Sequence, residues 1–202
     1  NLRMTRDASF AGLAQVAESG KQAGVGVNVS LSCSFGCPME GDVAEATVLD
    51  WCDRFVSEWG ANGVTLCDTT GMAFPSQVHA LTRVFKARWP DTELTLHFHN
   101  TRGVGLANVM NGLQLGVLEY ESSIAGLGGC PFAPGATGNI CTEDLVYLLH
   151  ECGYETGIDL DKLILVAKEV EKIVGRQLPG QMMKAGPRLK LMSTSSVRTA
   201  VG

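Results

Sequence analysis

Several features that would point to a functional class are absent from this sequence. Basic residues are outnumbered, with 16 Lys and Arg against 21 Asp and Glu, which gives a net charge of −5. This balance argues against nucleic acid, whose binding surfaces are usually basic. No apolar run reaches the length of a membrane span, and the first residues, NLRMTRDASFAG, lack the charged-then-apolar order of a signal peptide. We therefore predict neither a nucleic-acid partner nor a membrane partner.

Cysteine pairs with the spacing of a zinc site are also missing. The seven cysteines include no CxxC pair, and Cys33 and Cys37 form a CxxxC with no second pair to complete four ligands. Several cysteines lie inside apolar runs, as buried thiols do. The set predicts reduced thiols in a cytoplasm-like compartment.

The sequence does have a globular composition and an alternating pattern. Hydrophobic residues make up 45% of the 202 residues and charged residues 18%, enough for one domain with a substantial core. After a first helix, short β-branched segments alternate with segments of helical spacing, which predicts an α/β fold with a parallel sheet. The predicted strands are 25–32, 64–70, 93–99 and 119–126; the predicted helices are 8–23, 43–59, 76–88, 103–116, 142–152 and 160–174, with Ser76 and Asp159 as N-caps.

Two of the four histidines lie at the end of the third predicted strand, in LTLHFHNTRG. Residues i and i+2 of a strand point to the same face, so His97 and His99 project together with Phe98 opposite. Parallel α/β sheets carry their active sites at this carboxyl end of the strands. The pair can bind a divalent metal, or it can be two hydrogen-bonded polar residues, and the pattern alone leaves both open.

Asp68 ends the preceding strand, in LCDTTG. Its carboxylate can bind a metal or orient a ligand, or it can form the turn before Thr-Thr-Gly. Asn139 precedes a predicted helix, and its side-chain oxygen can either cap that helix or reach a metal.

A glycine-rich loop, GLGGCPFAPGATGN at 126–139, follows the last strand. Glycine permits unusual backbone angles, and loops at strand ends carry function more often than the scaffold does. Cys130 at its centre is a candidate acid, base or nucleophile, or an incidental thiol. A second glycine-containing segment, GVGLAN at 103–108, lacks the third glycine and the acidic residue of a dinucleotide fingerprint, and we reject it.

Together these segments resemble the 3-hydroxy-3-methylglutaryl-CoA (HMG-CoA) lyases, members of a metal-dependent lyase and synthase family built on a (β/α)8 barrel. The HxH strand end is shared across the wider family, whereas the GGCPFAPGATGN loop is typical of the lyases. The matching stretches are SCSFGCPMEG (32–41), LCDTTGMAFP (66–75), LHFHNTRGVGLAN (96–108), GLGGCPFAPGATGN (126–139) and TEDLVYLLHECG (142–153).

The resemblance implies a role for each candidate residue. His97, His99 and Asn139 match the family's metal ligands, for Mg²⁺ or Mn²⁺. Asp68 matches a strand-end aspartate near the substrate, and Cys130 matches a catalytic loop cysteine. We expect either His97 or Asp68 to assist proton removal. The implied reaction is cleavage of HMG-CoA to acetyl-CoA and acetoacetate. We also expect an acyl-CoA substrate, a homo-oligomer such as a dimer, and a cytoplasmic location, with the mitochondrial matrix as the alternative.

The resemblance also has two departures. Asn100 follows the second histidine where the lyases more often have an aspartate. The family's Arg-Asp pair, whose aspartate is a metal ligand at the end of the first strand, has no match, because Arg6–Asp7 precedes a helix and follows no apolar strand. We therefore expect residues 1–184 to be the C-terminal part of one (β/α)8 domain, its last four βα units, with 185–202 as a loose polar tail.

Two other interpretations remain. The protein can be a lyase for another 3-hydroxyacyl-CoA or a condensing synthase on the same barrel. It can also be an inactive fragment that folds only with a partner chain, since the first four strands are expected to be missing.

Overall fold

A computed structural model describes residues 3–129, 135 and 138–189. These residues form two compact units. One comprises the described parts of Asn1–Glu121 and Gly129–Gly138, and the other those of Ser122–Gly128 and Asn139–Gly202. The prediction of a single domain over 1–184 stays a prediction, and residues 190–202 of the predicted tail lie outside the described residues.

The first unit alternates helices and strands, as the sequence pattern predicts. Its first helix begins after Thr5, whose hydroxyl accepts a hydrogen bond from the Ala8 amide at 3.2 Å. The elements are α1 (Arg6–Gln22), β1 (Asn28–Leu31), α2 (Glu45–Ser57), β2 (Gly63–Asp68), α3 (Pro75–Arg88), β3 (Glu93–Phe98), α4 (Gly105–Gln114) and β4 (Glu119–Glu121).

The four strands form one parallel sheet in the order β1-β2-β3-β4. All six residues of β2 are buried, as expected for a parallel strand covered on both faces. The register pairs His97 with Cys67 on one side and with Glu121 on the other. The predicted α/β fold with a parallel sheet is confirmed, and the register decides which side chains neighbour the histidines.

Helices α3 and α4 and the sheet share an apolar core. Leu96 and Phe98 of β3 are fully buried, with Val78 and Phe85 of α3 and Val109 of α4. Gly112 allows α4 to approach closely, because a Cβ atom there would lie 2.7 Å from the Leu96 side chain. This packing fixes β3, the strand that carries both histidines.

The second unit contains a short 3-10 turn (Ile124–Gly126) and the helices α5 (Thr142–Glu151), α6 (Leu160–Val174) and α7 (Met182–Ala185). Asp159 is the N-cap of α6, as predicted, and its carboxylate accepts a hydrogen bond from the Lys162 amide. The sequence pattern did not predict α7. It begins where the Asp144 carboxylate accepts hydrogen bonds from two backbone amides, at Gln181 and Met182.

Two sequence expectations are wrong in detail. The sequence pattern extends the last strand over 119–126, whereas the observed strand ends at Glu121. Ala125 and Gly126 cannot belong to a strand, since they adopt left-handed backbone angles, with φ of 53° and 71°. Ser76 is not an N-cap. Helix α3 begins one residue earlier, with Phe74 as the N-cap and Pro75 in its first turn, where proline is favoured.

In the part of the chain that the structure describes, no helix combines the length and apolar character needed to cross a bilayer.

Candidate functional site

The carboxyl end of β3 brings His97 and His99 together, as the two-residue spacing predicts. Their ring centroids lie 5.3 Å apart, and the ring planes are inclined by 44°. Phe98 between them is fully buried on the opposite face, where it contacts Phe35. The rings therefore face the same space at the strand end.

His99 is held as a neutral imidazole. Only 6% of the residue is exposed, and burial, followed by the nearby His97, lowers its pKa to about 4. Its Nδ1 atom is buried and has no hydrogen-bond partner among the described residues. A neutral imidazole with an unpartnered nitrogen has the donor chemistry that a divalent metal requires.

His97 has a partner that sequence reasoning missed. Its Nδ1 lies 2.8 Å from Oε2 of Glu121, the residue opposite it on β4. The sequence signal was a glutamate at the end of the following strand, in EYESS, but only the strand register shows that it faces His97. A carboxylate behind a histidine is the usual second partner of a metal-binding imidazole.

Cys67, the other cross-strand neighbour of His97, does not add a thiolate to this site. Burial, then the nearby Glu121 and Cys33, raise the pKa of the Cys67 thiol to about 12. The thiol is therefore protonated at neutral pH. Six cysteines lie among the described residues, and none of them is in a disulfide.

Asp68 forms the turn after β2. Its Oδ1 accepts hydrogen bonds from the Met72 amide at 2.7 Å and the Ala73 amide at 3.1 Å. Its Oδ2 is buried without a hydrogen-bond partner in the described part of the chain. Burial raises the pKa of this carboxyl, while the two amides, and then His97 and Arg102, act in the opposite direction. The turn-forming role is observed, and a role in proton removal stays a prediction.

Asn139 lies in the second unit and is not a helix cap. Helix α5 has Cys141 at its N-cap position, with no side-chain hydrogen bond. The Asn139 amide nitrogen instead donates to the Leu127 carbonyl at 2.8 Å, which leaves Oδ1 buried and, among the described residues, unpartnered. The cap alternative is therefore wrong, and an oxygen ligand is what the side chain offers.

Two other predicted features need a brief account. Cys130 lies outside the described residues, so its catalytic role stays a prediction. Asn100, which departs from the family pattern, has a local role: its Oδ1 accepts a hydrogen bond from the Gly105 amide at the start of α4.

The second unit also gathers Cys141, Glu143 and Asp144, all buried, with potential ligand atoms within 4.8 Å of one another. Most of the carboxylate oxygens accept hydrogen bonds from the backbone, whereas Glu143 Oε1 is buried without a partner among the described residues. Glu143 Oε2 accepts from the Ala125 amide, and Asp144 accepts from Gln181 and Met182. Burial raises the pKa of the Cys141 thiol well above its usual range. This cluster holds the 3-10 turn and α7 in place.

Each candidate donor, taken within its own unit, has the chemistry that a divalent cation accepts. In the first unit, His99 is neutral and His97 is hydrogen-bonded through one nitrogen. In the second unit, the Asn139 oxygen is buried without a partner in the described chain. Nitrogen and oxygen donors of this kind suit Mg²⁺ or Mn²⁺. The fold and the strand-end histidines thus define a parallel α/β protein whose polar side chains gather at the carboxyl ends of its strands.

Comparison with known proteins supplies the family. The family model described as HMGL-like matches residues 1–170, and the chain belongs to this family. The (R)-citramalyl-CoA lyase of Chloroflexus aurantiacus is 41% identical over 93% of this chain and 59% of that protein. A hydroxymethylglutaryl-CoA lyase of Bacillus subtilis is 38% identical over 91% of this chain and 61% of that protein. The chain thus spans about 60% of the length of these relatives.

Solved structures agree with this assignment. An HMG-CoA lyase from Acinetobacter baumannii, in complex with coenzyme A and 3-methylmalate, has a TM-score of 0.88 and 43% identity over 96% of this chain and 63% of that chain. The carboxyl transferase domain of Rhizobium etli pyruvate carboxylase, at 14% identity and a TM-score of 0.65, shows a likeness of fold alone. The prediction of βα units from a (β/α)8 barrel is confirmed.

Proposed function

We propose that the protein is a metal-dependent carbon–carbon lyase that cleaves HMG-CoA to acetyl-CoA and acetoacetate. The observation that carries the proposal is the histidine pair at the end of β3: a neutral, buried His99 beside a His97 whose Nδ1 contacts Glu121. The relatives named as lyases supply the reaction class.

His97, His99 and Asn139 are the residues that would hold Mg²⁺ or Mn²⁺. When bound, the cation would supply Lewis-acid stabilisation of the negative charge that develops on the C3 oxygen. Neither His99 nor Asn139 requires deprotonation to act as a ligand at neutral pH, because the His99 imidazole is neutral and the Asn139 amide is uncharged.

The chain's own residues would move two protons. The C3 hydroxyl loses its proton to a base as the C2–C3 bond breaks, and the electron pair of that bond passes to C2 as a thioester enolate. Asp68 fits the base better than His97, since its carboxyl pKa is raised and one nitrogen of His97 already contacts Glu121. The Cys130 thiol is proposed to return a proton to C2.

A second substrate is favoured by a specific observation. A citramalyl-CoA lyase is among the relatives at about 40% identity. Both thioesters carry a hydroxyl, a methyl group and a carboxyl-bearing branch at C3, and they differ by one methylene. A pocket distinguishes one methylene by only about 1–3 kcal/mol, so either substrate fits the same chemistry. A condensing synthase on the same barrel, or an inactive chain, is the remaining alternative.

A cleavage assay tests the proposal. Metal-free protein is supplied with HMG-CoA or (R)-citramalyl-CoA, with and without Mn²⁺, and acetyl-CoA and the keto acid are measured. We expect metal-dependent release of acetyl-CoA with acetoacetate from HMG-CoA. Preferential release of pyruvate from citramalyl-CoA would reassign the substrate. Cleavage of neither thioester in the presence of Mn²⁺ would contradict the proposed activity.

The expected assembly and location also stay proposals. A dimer is tested by light scattering of the purified protein. Relatives are named both mitochondrial and cytoplasmic, so the proposed cytoplasmic location is tested by fractionation of the source cells.

A further inference from the structure

We propose that Glu121 is a positioning residue that holds His97 in its Nδ1–H tautomer and so presents Nε2 as the donor atom for the metal. The inference rests on the proposed metal site and adds a residue to it. It concerns a carboxylate that the sequence motifs do not mark.

The contact is built into the sheet. His97 and Glu121 are backbone partners in the parallel pairing of β3 with β4, and paired residues project from the same face. Their side chains meet at 2.8 Å, between Nδ1 and Oε2. The Glu121 side chain is about half exposed and that of His97 is 22% exposed, so the contact lies at the rim of the site.

Tautomer selection follows from the chemistry of the two groups. A neutral imidazole carries one N–H group and one lone pair, and an ionised carboxylate can only accept a hydrogen bond. A carboxylate at Nδ1 therefore stabilises the proton on Nδ1 and leaves the lone pair on Nε2. It also fixes the rotation of the ring. Both effects favour metal binding before any cation is present.

The two histidines are therefore held by different means. The Nδ1 atom of His99 is buried and has no hydrogen-bond partner in the described chain. The His97 side chain is 22% exposed, and its Nδ1 is in contact with the Glu121 carboxylate. Loss of Glu121 should therefore weaken one ligand and leave the other intact.

The same strand offers a matched control. Glu119 lies two residues before Glu121 on β4, on the same face of the sheet, and its backbone partner is Thr95 rather than a histidine. Both glutamates are exposed, and both variants remove one negative charge from the same strand. A difference between the two variants therefore reports the contact to His97 and not the general charge of the surface.

The test measures Mn²⁺ affinity by titration for the wild type and for Glu121→Ala, Glu121→Gln and Glu119→Ala. We expect Glu121→Ala to weaken binding about 10- to 100-fold, the usual effect of losing such a partner. Glu121→Gln should lose less Mn²⁺ affinity, since the glutamine amide oxygen can still accept a hydrogen bond from the Nδ1–H group of His97. Glu119→Ala should bind as the wild type does. Equal affinity of Glu121→Ala and wild type would overturn the inference.

A second readout does not depend on the metal. Nitrogen NMR of the metal-free protein distinguishes the two tautomers of His97. We expect the Nδ1–H form in the wild type and in Glu121→Gln, and a shift toward the Nε2–H form in Glu121→Ala. A wild type already in the Nε2–H form would overturn the inference while leaving the proposed metal site standing. A wild type that binds no Mn²⁺ would overturn both.

Discussion

At the scale of single residues, Asp68 combines an observed structural role with a proposed chemical role. One carboxylate oxygen closes the turn after β2 through two amides, and the other is buried without a partner in the described part of the chain. Burial raises its pKa, which means that the folded protein favours the protonated form. An ionised Asp68 therefore lowers stability at neutral pH.

The raised pKa of Asp68 predicts the direction in which stability changes with pH. The stabilising contribution of a carboxyl with a raised pKa is present below the ordinary pKa of about 3.9 and is lost as the pH rises through the raised value. Asp68→Asn should therefore unfold at a higher temperature than metal-free wild type at pH 7, and the difference should shrink as the pH falls. Thermal unfolding monitored by circular dichroism at several pH values measures this.

A second variant of the same residue separates the two roles. Asp68→Ala leaves the Met72 and Ala73 amides without an acceptor, which should cost about 1–3 kcal/mol of stability. Both variants should reduce cleavage about 10²- to 10⁴-fold if Asp68 is the base. If a stable Asp68→Asn variant cleaves as fast as the wild type, Asp68 is not the base and has only a structural role in the turn.

Contacts within one strand could be predicted from the sequence, whereas contacts between strands could not. The shared face of His97 and His99 follows from the two-residue period of a strand, and the structure confirms it. The contact of His97 with Glu121 was not predicted, because it depends on the register between two strands. The turn at Asp68 was one of two alternatives, since a single sequence does not show whether an aspartate bonds locally or faces a ligand.

At the scale of elements, two helical glycines with opposite surroundings explain how α4 is fitted to the sheet. A Cβ atom at Gly112 of α4 would meet the Tyr120 hydroxyl and the Leu96 side chain. A Cβ atom at Gly12 of α1 would meet nothing within 4 Å. The first glycine is required by packing, whereas the second only weakens its helix.

Alanine at these two positions should change stability in opposite directions. Gly12→Ala should raise the free energy of unfolding by up to about 1 kcal/mol, the difference in helix propensity. Gly112→Ala gains the same propensity but forces side chains apart in a packed core, at a cost of about 1–3 kcal/mol. Urea unfolding of both variants measures the difference. A stabilised Gly112→Ala would show that α4 is not packed as described.

The elements themselves were largely predictable, and the exceptions have physical causes. Hydrophobic periodicity located six helices and four strands within a few residues of their observed bounds. The end of β4 was misplaced because Ala125 takes a left-handed conformation, with its amide bound to the buried Glu143 carboxylate. Helix α7 was missed because it has four residues and begins on hydrogen bonds from the distant Asp144.

At the scale of the whole molecule, alternating strands and helices indicated a parallel α/β fold, and short motifs indicated the family. The HMGL-like match over residues 1–170 confirms the family. The acyl group of the substrate could not be predicted, because relatives of similar identity are named for different thioesters. The two thioesters differ by one methylene, a difference that short sequence motifs do not show.

The central claim is that His97 and His99 hold a divalent cation, and electron paramagnetic resonance of bound Mn²⁺ tests it most directly. We expect one Mn²⁺ per wild-type chain, with magnetic coupling to the nitrogens of two imidazoles. His99→Ala should lose stoichiometric binding, whereas His79→Ala, at an exposed position on α3, should keep both the ion and its spectrum. Stoichiometric Mn²⁺ in His99→Ala with an unchanged spectrum would contradict the account.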